Sequence, residues 1–495
     1  MSELRYHIKT FGCQMNVADS ERMESLLSEQ GMKEAKGPAD ADLIIVNGCT
    51  VREKAVHKAL SALGVFNEFK EKSHKIIAVG GCVGQLEKEK LFKRAPYIDF
   101  VFGTDTIDNL PELVHRVQNG ERHVVYADFD ASMNYSTETK VMGNKAQAFV
   151  NIMKGCDKYC TYCIVPYTRG KEKSRTIDEV VDDVARLVAK GIREVTLLGQ
   201  NVNSFGKGNA NVREREPKEL HNVIGKVGPR AGEENFPQLL RAIDSDPRCA
   251  ELKLIRYTSS HPLDFSDELI ECYASVEKGG VQRLAAHLHL PVQCGSNRIL
   301  QKMGRHHQIE NYFAQMDRLR ELSPDVGIST DLIVGFPTET DEDFEDTLRL
   351  LDRVQFDSIY AFAYSPRPGT RAAKLPDDVP NEVKNARLNR LLDYQLEISQ
   401  KKYAARVGSI MEILVEGEAK NQNLKHGLGL RAGRVWMGRT QCNRVVNFMS
   451  DSARTLTGRF VEVKITAATP LSLYGELTLD GFAAEKHQRK EISIA

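Results

Sequence analysis

The stretch AFVNIMKGCDKYCTYC, residues 148–163, joins an apolar run to three closely spaced cysteines. Ala148 to Met153 predict a buried strand, and Cys156, Cys160 and Cys163 follow it in a loop. Their spacing also fits one face of a helix, but a glycine before the run and a proline after it disfavour a helix. Zinc binds clustered cysteines too, although no fourth ligand is close in sequence. Three thiolates favour a [4Fe–4S] cluster with one iron open to a substrate.

Alternating strand and helix patterns continue beyond this loop, with helices such as Ile177 to Lys190 and Asp341 to Arg353. The further strand candidates are Glu194 to Leu198, Leu252 to Tyr257, Ala285 to Leu290, Gly327 to Val334 and Asp357 to Tyr364. Six strand–helix units predict a partial (β/α)6 barrel in residues 145–405, with its active site at the carboxyl ends of the strands. The stretch Lys207 to Asn235 is predicted to be an insertion without an assigned role.

Residues 1–130 predict a separate α/β domain with a parallel sheet and helices on its faces. The strand candidates are Arg5 to Thr10, Asp42 to Val46, Lys75 to Val79 and Asp99 to Phe102, and the helix candidates include Ser20 to Glu29 and Glu53 to Asn67. The polar stretch Asp128 to Gln147 is predicted to be a linker.

A second set of cysteines lies in this domain. Cys13, Cys49 and Cys82 are 36 and 33 residues apart, and each follows an apolar run and a glycine. That interval is about one βαβ unit, so three parallel strands would bring their thiols to one sheet edge. Buried core cysteines are the alternative, but the repeated strand-end position favours an auxiliary [4Fe–4S] cluster. The other four cysteines share no such pattern and are predicted to be core or incidental thiols; they are Cys249, Cys272, Cys294 and Cys442.

Composition excludes several classes of protein. The chain has 495 residues, 41% of them hydrophobic and 27% charged, which predicts about three globular domains. It has no apolar run near the roughly 20 residues of a membrane span and no signal pattern at its start, so we expect the cytoplasm. Lys+Arg and Asp+Glu are equal at 68, which excludes a chain-wide polyanion binder. Ten cysteines in a reducing compartment indicate metal binding or catalysis.

The last part of the chain, residues 407–480, predicts a small antiparallel β-barrel of the OB type after a long helix, Pro380 to Arg406. Its strand candidates are Met411 to Val415, Arg434 to Met437, Asn443 to Phe448, Arg459 to Ile465 and Leu473 to Leu477. Between Lys420 and Arg459, eight basic residues occur with one acidic residue, Asp451. With Trp436 and Phe448 among them, they indicate an RNA-binding surface, for which Arg434, Arg439 and Arg444 are candidates. A solvated charged face is the alternative.

With these three blocks in place, nearly the whole chain resembles the methylthiotransferase family of radical S-adenosylmethionine (SAM) enzymes. That family has an N-terminal three-cysteine domain, a radical SAM barrel and a C-terminal TRAM domain. The matching stretches are CTYCIVPYTRGKEKSR (160–175), LLGQNVNSFG (197–206), LHLPVQCGSNRILQKMGR (288–305), STDLIVGFPTETDEDF (329–344) and YSPRPGTRAA (364–373). The family more often has Gly at Thr338 and Pro at Arg371, and the insertion is longer than usual.

The resemblance implies two [4Fe–4S] clusters facing one cavity and two SAM molecules per turnover. One SAM methylates a sulfur on the auxiliary cluster, and the other yields a 5′-deoxyadenosyl radical at the Cys156–Cys160–Cys163 cluster. The radical removes hydrogen from carbon 2 of N(6)-isopentenyladenosine at position 37 of the tRNA anticodon loop, and a methylthio group joins that carbon. The implied partners are the tRNA anticodon stem-loop, an electron donor such as flavodoxin or ferredoxin, and sulfur-supply proteins.

Further site residues are predicted at strand ends and beside the cysteine loop. The candidates for SAM are Gln200, Asn201, Asn203, Gln293, Ser296, Arg305, Asp331 and Ile333. Among them Arg305 would pair with the SAM carboxylate and Ile333 would pack on adenine. Arg169, Lys171 and Arg175 lie beside the loop and would meet RNA phosphate or SAM. Purely structural roles for such polar loop residues are the alternative.

Three other functions compete with this one. Sister enzymes of the family modify threonylcarbamoyl-adenosine in tRNA or an aspartate of a ribosomal protein. The stretches YTRGKEKSR and GQNVNSFG favour the enzyme for isopentenyladenosine. A non-catalytic iron–sulfur protein that binds RNA is the third alternative, and SAM cleavage would distinguish an enzyme from it.

Overall fold

The computed structural model describes residues 4–50, 53–129, 146–207, 234–422, 433–450 and 455–478. Most of the predicted linker, most of the predicted insertion, and the basic residues Lys425, Arg431 and Arg454 lie outside these ranges. Among the described helices, none combines the length and the apolar character needed to cross a membrane.

The chain divides into two compact units. Unit 1 comprises residues 1–143, 149–187 and 197–239, and unit 2 comprises residues 144–148, 188–196 and 240–495.

Unit 1 contains a six-stranded sheet in which every pair of neighbouring strands is parallel. Its strands are β1 (Arg5–Phe11), β2 (Lys33–Glu34), β3 (Leu43–Gly48), β4 (Ile76–Gly80), β5 (Phe100–Phe102) and β6 (Val124–Tyr126), in the order β2-β1-β3-β4-β5-β6. The four predicted strands are confirmed. Strands β2 and β6, of two and three residues, were not predicted.

Helices cover both faces of this sheet, and a hydrophobic core lies on each side. They are α1 (Gln14–Glu29), α2 (Glu53–Lys72), α3 (Gly81–Glu87), α4 (Lys90–Arg94) and α5 (Leu110–Gln118). Helix α1 begins directly after Cys13, six residues before the predicted start at Ser20. Its first turns are polar in sequence but buried, with Asn16 and Asp19 at 0% and 6% exposure, so an apolar pattern could not reveal them.

The predicted first barrel strand is two strands in the structure. They are β7 (Gln147–Asn151) and β8 (Met153–Lys154), and β8 forms an antiparallel hairpin with β9 (Lys173–Ser174). The hairpin closes the cysteine loop, which also contains α6 (Val165–Arg169). Helix α7 (Ile177–Ala189) and strand β10 (Glu194–Leu198) follow as predicted.

The remaining barrel strands complete two three-stranded sheets. They are β11 (Leu254–Tyr257), β12 (His287–His289), β13 (Gly327–Val334) and β14 (Ser358–Ala363). The sheet orders are β11-β10-β7 and β12-β13-β14, and a parallel bridge joins Ile255 to Leu284. The helices are α8 (Phe236–Ser245), α9 (Asp267–Glu271), α10 (Asn297–Lys302), α11 (Ile309–Leu322), α12 (Asp341–Val354) and α13 (Asn381–Ala404). All six predicted barrel strands are therefore present.

The C-terminal segment of unit 2 is a closed five-stranded barrel, as predicted. Its strands are β15 (Ile410–Glu418), β16 (Arg434–Thr440), β17 (Val445–Ser450), β18 (Phe460–Ala468) and β19 (Leu473–Leu477). The expectation of a fully antiparallel barrel needs one correction, because β17 and β19 pair in parallel. Trp436 and Phe448 are 2% and 0% exposed in the barrel core, so neither can stack on an RNA base in this structure.

A buried ion pair holds this barrel against the strands and helices that precede it in unit 2. Arg444 is 2% exposed and its Nη2 lies 2.6 Å from Asp357 Oδ1, while Lys402 Nζ lies 2.6 Å from Asp357 Oδ2. Burial opposes ionisation of Asp357, yet the two cations keep the pKa of its carboxyl below the ordinary value. Arg256 adds hydrogen bonds of 2.9 Å each to the carbonyl oxygens of Thr440 and Gln441. Arg444 is therefore a docking residue, and its burial contradicts the prediction that it contacts RNA.

We expect Arg444→Ala to destabilise the barrel by about 3 kcal/mol, the lower end for a broken buried pair, because Lys402 still neutralises Asp357. Urea unfolding followed by the fluorescence of Trp436 measures this change. Arg434→Ala removes an exposed pair with Glu418 and is the matched control, with an expected cost below about 1 kcal/mol. Equal unfolding midpoints for the two variants would contradict the docking role.

Candidate active site with two cysteine sets

The N-terminal cysteines converge at one edge of the sheet of unit 1. Strands β1, β3 and β4 are neighbours, and Cys13, Cys49 and Cys82 follow their last residues within two positions. A parallel bridge joins Gly48 to Gly81, and a Cβ atom placed on Gly12 would lie 2.5 Å from the Cβ of Cys49. The predicted meeting of these three loops is therefore observed.

Glycine is required where these loops touch. Gly81 has a φ of +76°, and a Cβ atom there would lie 2.2 Å from Asn47 Oδ1 and 3.0 Å from the carbonyl oxygen of Gly48. Gly12 has a φ of +141°, in the range where L-residues are strained. Because no side chain fits at either position, the loops form a cradle that a bulky inorganic core can approach.

Two buried asparagines lock this cradle together, and the sequence reasoning missed both. Asn47 Nδ2 donates hydrogen bonds to the carbonyl oxygen of Asn16 at 2.8 Å and to Ser20 Oγ at 2.9 Å. Asn16 Nδ2 donates to Asn47 Oδ1 at 3.2 Å, and the Cys13 thiol donates to Asn16 Oδ1 at 3.4 Å. Their only sequence signal is a polar residue close to each Gly-Cys pair.

The electrostatics of this set favour a thiolate. A hydrogen bond with Cys49 lowers the pKa of Cys13 to about 6 against the effect of burial, and the positive charge of Arg169 acts in the same direction. Cys13 is the exposed member of the set, whereas Cys49 and Cys82 are buried. Thiolate is the form that binds iron.

The second set lies in the loop between β8 and β9. The amide of Cys163 donates to the carbonyl oxygen of Cys160 at 3.0 Å, and the amide of Cys156 donates to that of Gly170 at 3.2 Å. Gly155 has a φ of +76°, and a Cβ atom there would lie 1.9 Å from the carbonyl oxygen of Lys171. Burial raises the pKa of the Cys156 thiol, and the neighbouring Cys163 and Cys160 raise it further.

Both sets fit an iron–sulfur cluster. Each offers three thiols beside glycines that leave no room for a side chain, on three strand-end loops in the N-terminal set and on one loop in the set of Cys156, Cys160 and Cys163. Within the described parts of the chain, no three cysteine, histidine or acidic side chains are close enough together to hold a single metal ion. A cubane cluster with three cysteine ligands keeps one iron open, and each set supplies three thiols.

The basic residues beside the loop are placed differently from the prediction. Arg169 is 4% exposed and makes a bidentate ion pair with Asp19, and Arg175 is 5% exposed and pairs with Asp183. Their burial contradicts the prediction that they meet RNA phosphate. Lys171 is exposed and is the one residue of the three whose position allows RNA contact.

In unit 1, three SAM candidates follow β10, and one of them contacts the cysteine loop. The side-chain oxygen of Gln200 accepts a hydrogen bond of 2.6 Å from the amide of Gly155, so Gln200 orients the loop itself. Asn201 and Asn203 are buried, at 1% and 4% exposure.

In unit 2, two SAM candidates have structural partners. Ser296 caps the N-terminus of α10 and donates to Asp343 Oδ1 at 2.6 Å. Arg305 is buried and donates to the carbonyl oxygen of Pro291. Gln293 has a φ of +80° and exchanges backbone hydrogen bonds of 2.9 Å with Asp331 and Ile333.

Asp331 and Ile333 share the less buried face of β13. His289 Nε2 lies 3.6 Å from Asp331 Oδ1, and the His289 ring meets Tyr360 edge to face at 5.7 Å between centroids. The sequence reasoning missed His289 and Tyr360. Their only signal was the alternation in the short strands β12 and β14.

Comparison with known families agrees with this architecture. Residues 5–103 match the uncharacterized protein family UPF0004, residues 150–351 the radical SAM superfamily and residues 404–478 the TRAM domain. Among solved structures, the cobalamin- and [4Fe–4S]-bound radical SAM methyltransferase TsrM of Kitasatospora setae aligns with a TM-score of 0.53 and 14% identity, over 75% of this chain and 77% of that one. That likeness concerns the fold alone. The chain is thus a radical SAM protein with a C-terminal TRAM domain.

Relatives that match nearly the whole chain show which family of radical SAM proteins it belongs to. Proteins named tRNA-2-methylthio-N(6)-dimethylallyladenosine synthase are 42% identical in Bdellovibrio bacteriovorus (95% of each chain) and 44% identical in Hahella chejuensis (95% of this chain, 97% of the relative). The Myxococcus xanthus protein of that name is 44% identical over 95% of this chain and 94% of its own. The chain belongs to this family of radical SAM methylthiotransferases.

Two three-thiol sites predict about eight irons per chain after reconstitution without oxygen. Changing Cys156, Cys160 and Cys163 together to Ala should leave about half of that iron, because the N-terminal cradle is built from separate loops. Iron assay with absorption spectroscopy measures the change. The buried Cys249→Ala is the matched control and should leave iron content unaltered. A triple variant with full iron content would contradict the assignment.

The lowered pKa of Cys13 predicts its reactivity in cluster-free protein. A thiol with a pKa of about 6 is mostly thiolate at neutral pH, so alkylation of Cys13 by iodoacetamide should be half-maximal near pH 6 and level off above about pH 7. Alkylation of Cys156, whose pKa is raised, should still be increasing at pH 9. Mass spectrometry of peptides across a pH series measures both rates. Parallel profiles for the two thiols would contradict the electrostatic description.

Proposed function

We propose that the chain is a tRNA methylthiotransferase that converts N(6)-isopentenyladenosine at position 37 of the anticodon loop into its 2-methylthio derivative. The observation that carries this proposal is the presence of two separate three-cysteine sets in one compact unit, each in a loop that only glycine allows. The name borne by the bacterial relatives supports the same reaction. Carbon 2 of adenine is unactivated, which explains the need for radical chemistry.

The two cysteine sets have different tasks in this proposal. Cys156, Cys160 and Cys163 would hold the cluster that binds SAM, and Cys13, Cys49 and Cys82 would hold the auxiliary cluster. When bound, the first cluster with SAM supplies the 5′-deoxyadenosyl radical and the second supplies sulfur, with two SAM molecules used per turnover.

The protein's own residues orient these groups. Gln200 fixes the loop of Cys156, Cys160 and Cys163 through the amide of Gly155. The buried asparagines fix the cradle formed by the N-terminal cysteine loops. We retain Asp331 and Ile333 as SAM contacts, because both lie on the less buried face of β13. The other SAM-binding residues of this proposal are Asn201, Asn203, Gln293, Ser296 and Arg305, with Arg305 as the partner of the SAM carboxylate.

The C-terminal barrel is the proposed anchor for tRNA. Arg434 and Arg439 keep 61% and 35% of their side chains exposed, while forming ion pairs with Glu418 and Glu416. Lys171 is also exposed, so the proposed RNA-binding residues are Lys171, Arg434 and Arg439. Arg169, Arg175 and Arg444 are buried and are not among them.

Three further assignments belong to this proposal. The domain division is residues 1–130 for the auxiliary-cluster domain, 145–405 for the radical SAM domain and 407–480 for the TRAM domain. Reduction needs an electron donor such as flavodoxin or ferredoxin, and repeated turnover needs sulfur-supply proteins. The cytoplasm, where tRNA is found, is the proposed location.

The test of the proposal separates the two cysteine sets. Cys13→Ala, Cys49→Ala or Cys82→Ala should abolish methylthiolation of isopentenylated tRNA while leaving part of the 5′-deoxyadenosine production, because only the Cys156 loop cleaves SAM. Mass spectrometry of tRNA nucleosides and of the small-molecule products measures both. Cys249→Ala serves as the control and should keep both activities. An N-terminal variant that methylthiolates at the wild-type rate would overturn the proposal.

Charge reversal tests the tRNA anchor. Arg434→Glu with Arg439→Glu should weaken tRNA binding, and the salt dependence of binding should become shallower by about 0.7–0.9 for each lost phosphate contact. Titrations of tRNA across a salt series measure affinity and slope. Arg318→Glu reverses an exposed, paired arginine on α11 and should change neither. If the double variant and the wild type have equal affinities and slopes, the barrel surface is a solvated charged face and does not bind tRNA.

A further inference from the structure

A buried ion pair between the two cysteine sets has no role in the function described so far. Arg169 is the last residue of α6, is 4% exposed, and contacts the Asp19 carboxylate through both terminal nitrogens, at 2.6 and 3.3 Å. Asp19 lies in α1 and is 6% exposed. Both residues belong to unit 1.

The pair is attached to both cysteine loops. Asp19 is on the helix that begins directly after Cys13, and Arg169 is six residues beyond Cys163. Helix α6 also packs against α3, which contains Cys82. Next to Arg169, the carbonyl oxygen of Thr168 accepts a hydrogen bond of 2.7 Å from Thr104 Oγ1. Arg169 belongs to the loop between β8 and β9 that carries Cys156, Cys160 and Cys163, here called the radical SAM loop. Its contacts therefore hold the guanidinium next to the N-terminal cysteines.

Charge is the second feature of this position. Burial works against the charged guanidinium, but Asp19 and the thiolates of Cys82 and Cys13 together raise the pKa of Arg169. Arg169 therefore stays cationic close to the thiol set, away from water. The potential of an iron–sulfur cluster depends on nearby charge and solvent exposure, and a charge acts more strongly in a low-dielectric interior.

We propose that Arg169 is a positioning residue that holds the radical SAM loop against the auxiliary site and raises the reduction potential of the auxiliary cluster. The inference rests on the proposed function, which assigns that cluster to Cys13, Cys49 and Cys82. Reduction adds one electron to the cluster, so a fixed cation favours the reduced form and Asp19 moderates the effect. Removing the charge of Arg169 must then lower the reduction potential of the auxiliary cluster, and removing the charge of Asp19 must raise it.

A purely structural ion pair is the alternative, and unit 1 contains one for comparison. Arg175 and Asp183 are 5% and 1% exposed, with Nη1 and Oδ2 3.1 Å apart. Arg175 also donates to the carbonyl oxygens of Asn151 and Glu179, at 3.0 and 2.9 Å. This pair is buried to the same degree, and the partners of Arg175 lie on β7 and α7, which carry Asn151, Glu179 and Asp183.

The experiment uses the full chain with Cys156, Cys160 and Cys163 changed to Ala, so that only the auxiliary cluster is present. Arg169→Gln, Arg169→Lys, Asp19→Asn and Arg175→Gln are each added to this background. Iron content is assayed first. The midpoint potential of the one-electron reduction is then measured by dithionite titration with redox mediators and electron paramagnetic resonance.

Arg169→Gln should make the midpoint potential more negative, and Asp19→Asn should make it less negative because Arg169 is then uncompensated. Arg169→Lys keeps the charge and should stay near the parent, and Arg175→Gln should leave the potential unchanged. If Arg169→Gln loses its iron, the shift of Asp19→Asn relative to the parent decides the question.

Unchanged potentials in Arg169→Gln and Asp19→Asn, or shifts of these two variants in the same direction, would overturn the inference and leave the proposed function intact. A parent background without any cluster would overturn this inference together with the auxiliary-cluster assignment on which it rests.

Discussion

The register of three parallel strands is the constraint on which the rest of the molecule depends. Phe11 pairs with Gly48 across β1 and β3, and Asn47 pairs with Gly80 across β3 and β4. Because parallel neighbours end at the same edge, this register brings three Gly-Cys turns together although they are distant in sequence. A shift by one residue would turn each thiol to the opposite side of its strand end. Backbone hydrogen bonds between the strands thus determine where the three cysteines meet.

Unit 1 also fixes the loop of Cys156, Cys160 and Cys163 relative to the N-terminal cysteines. Met15 and Ala18 of α1 pack against Leu198 and Phe149, next to the strands that carry the radical SAM loop. Lys154, which precedes that loop, forms a buried ion pair with Asp105. Burial lowers the pKa of Lys154, so the carboxylate partner matters for keeping its charge. Since methylthio transfer needs two reactive centres at one substrate atom, a fixed separation between them is a functional requirement.

The sequence allowed prediction of what depends on local pattern. Strand periodicity located four of the six N-terminal strands, the six barrel strands and the five strands of the C-terminal barrel, and cysteine spacing predicted which loops meet.

Ion-pair partners that are distant in sequence could not be predicted. Arg444 was assigned to RNA from a basic run, but its partner Asp357 lies 87 residues away and no charge pattern reveals it. Arg169 was misassigned for the same reason, since Asp19 is 150 residues distant. Trp436 was expected at a surface because composition alone does not say which side of a strand is inside.

The central claim is that this chain adds the methylthio group to isopentenyladenosine in tRNA. Mass spectrometry of total tRNA nucleosides, from a strain lacking the chain and from the same strain with the chain restored, tests it most directly. The account predicts that the 2-methylthio derivative disappears, that N(6)-isopentenyladenosine accumulates in its place, and that the intact chain reverses both changes. Persistence of the 2-methylthio derivative in the deleted strain, or loss of a methylthio derivative of threonylcarbamoyl-adenosine instead, would contradict the account.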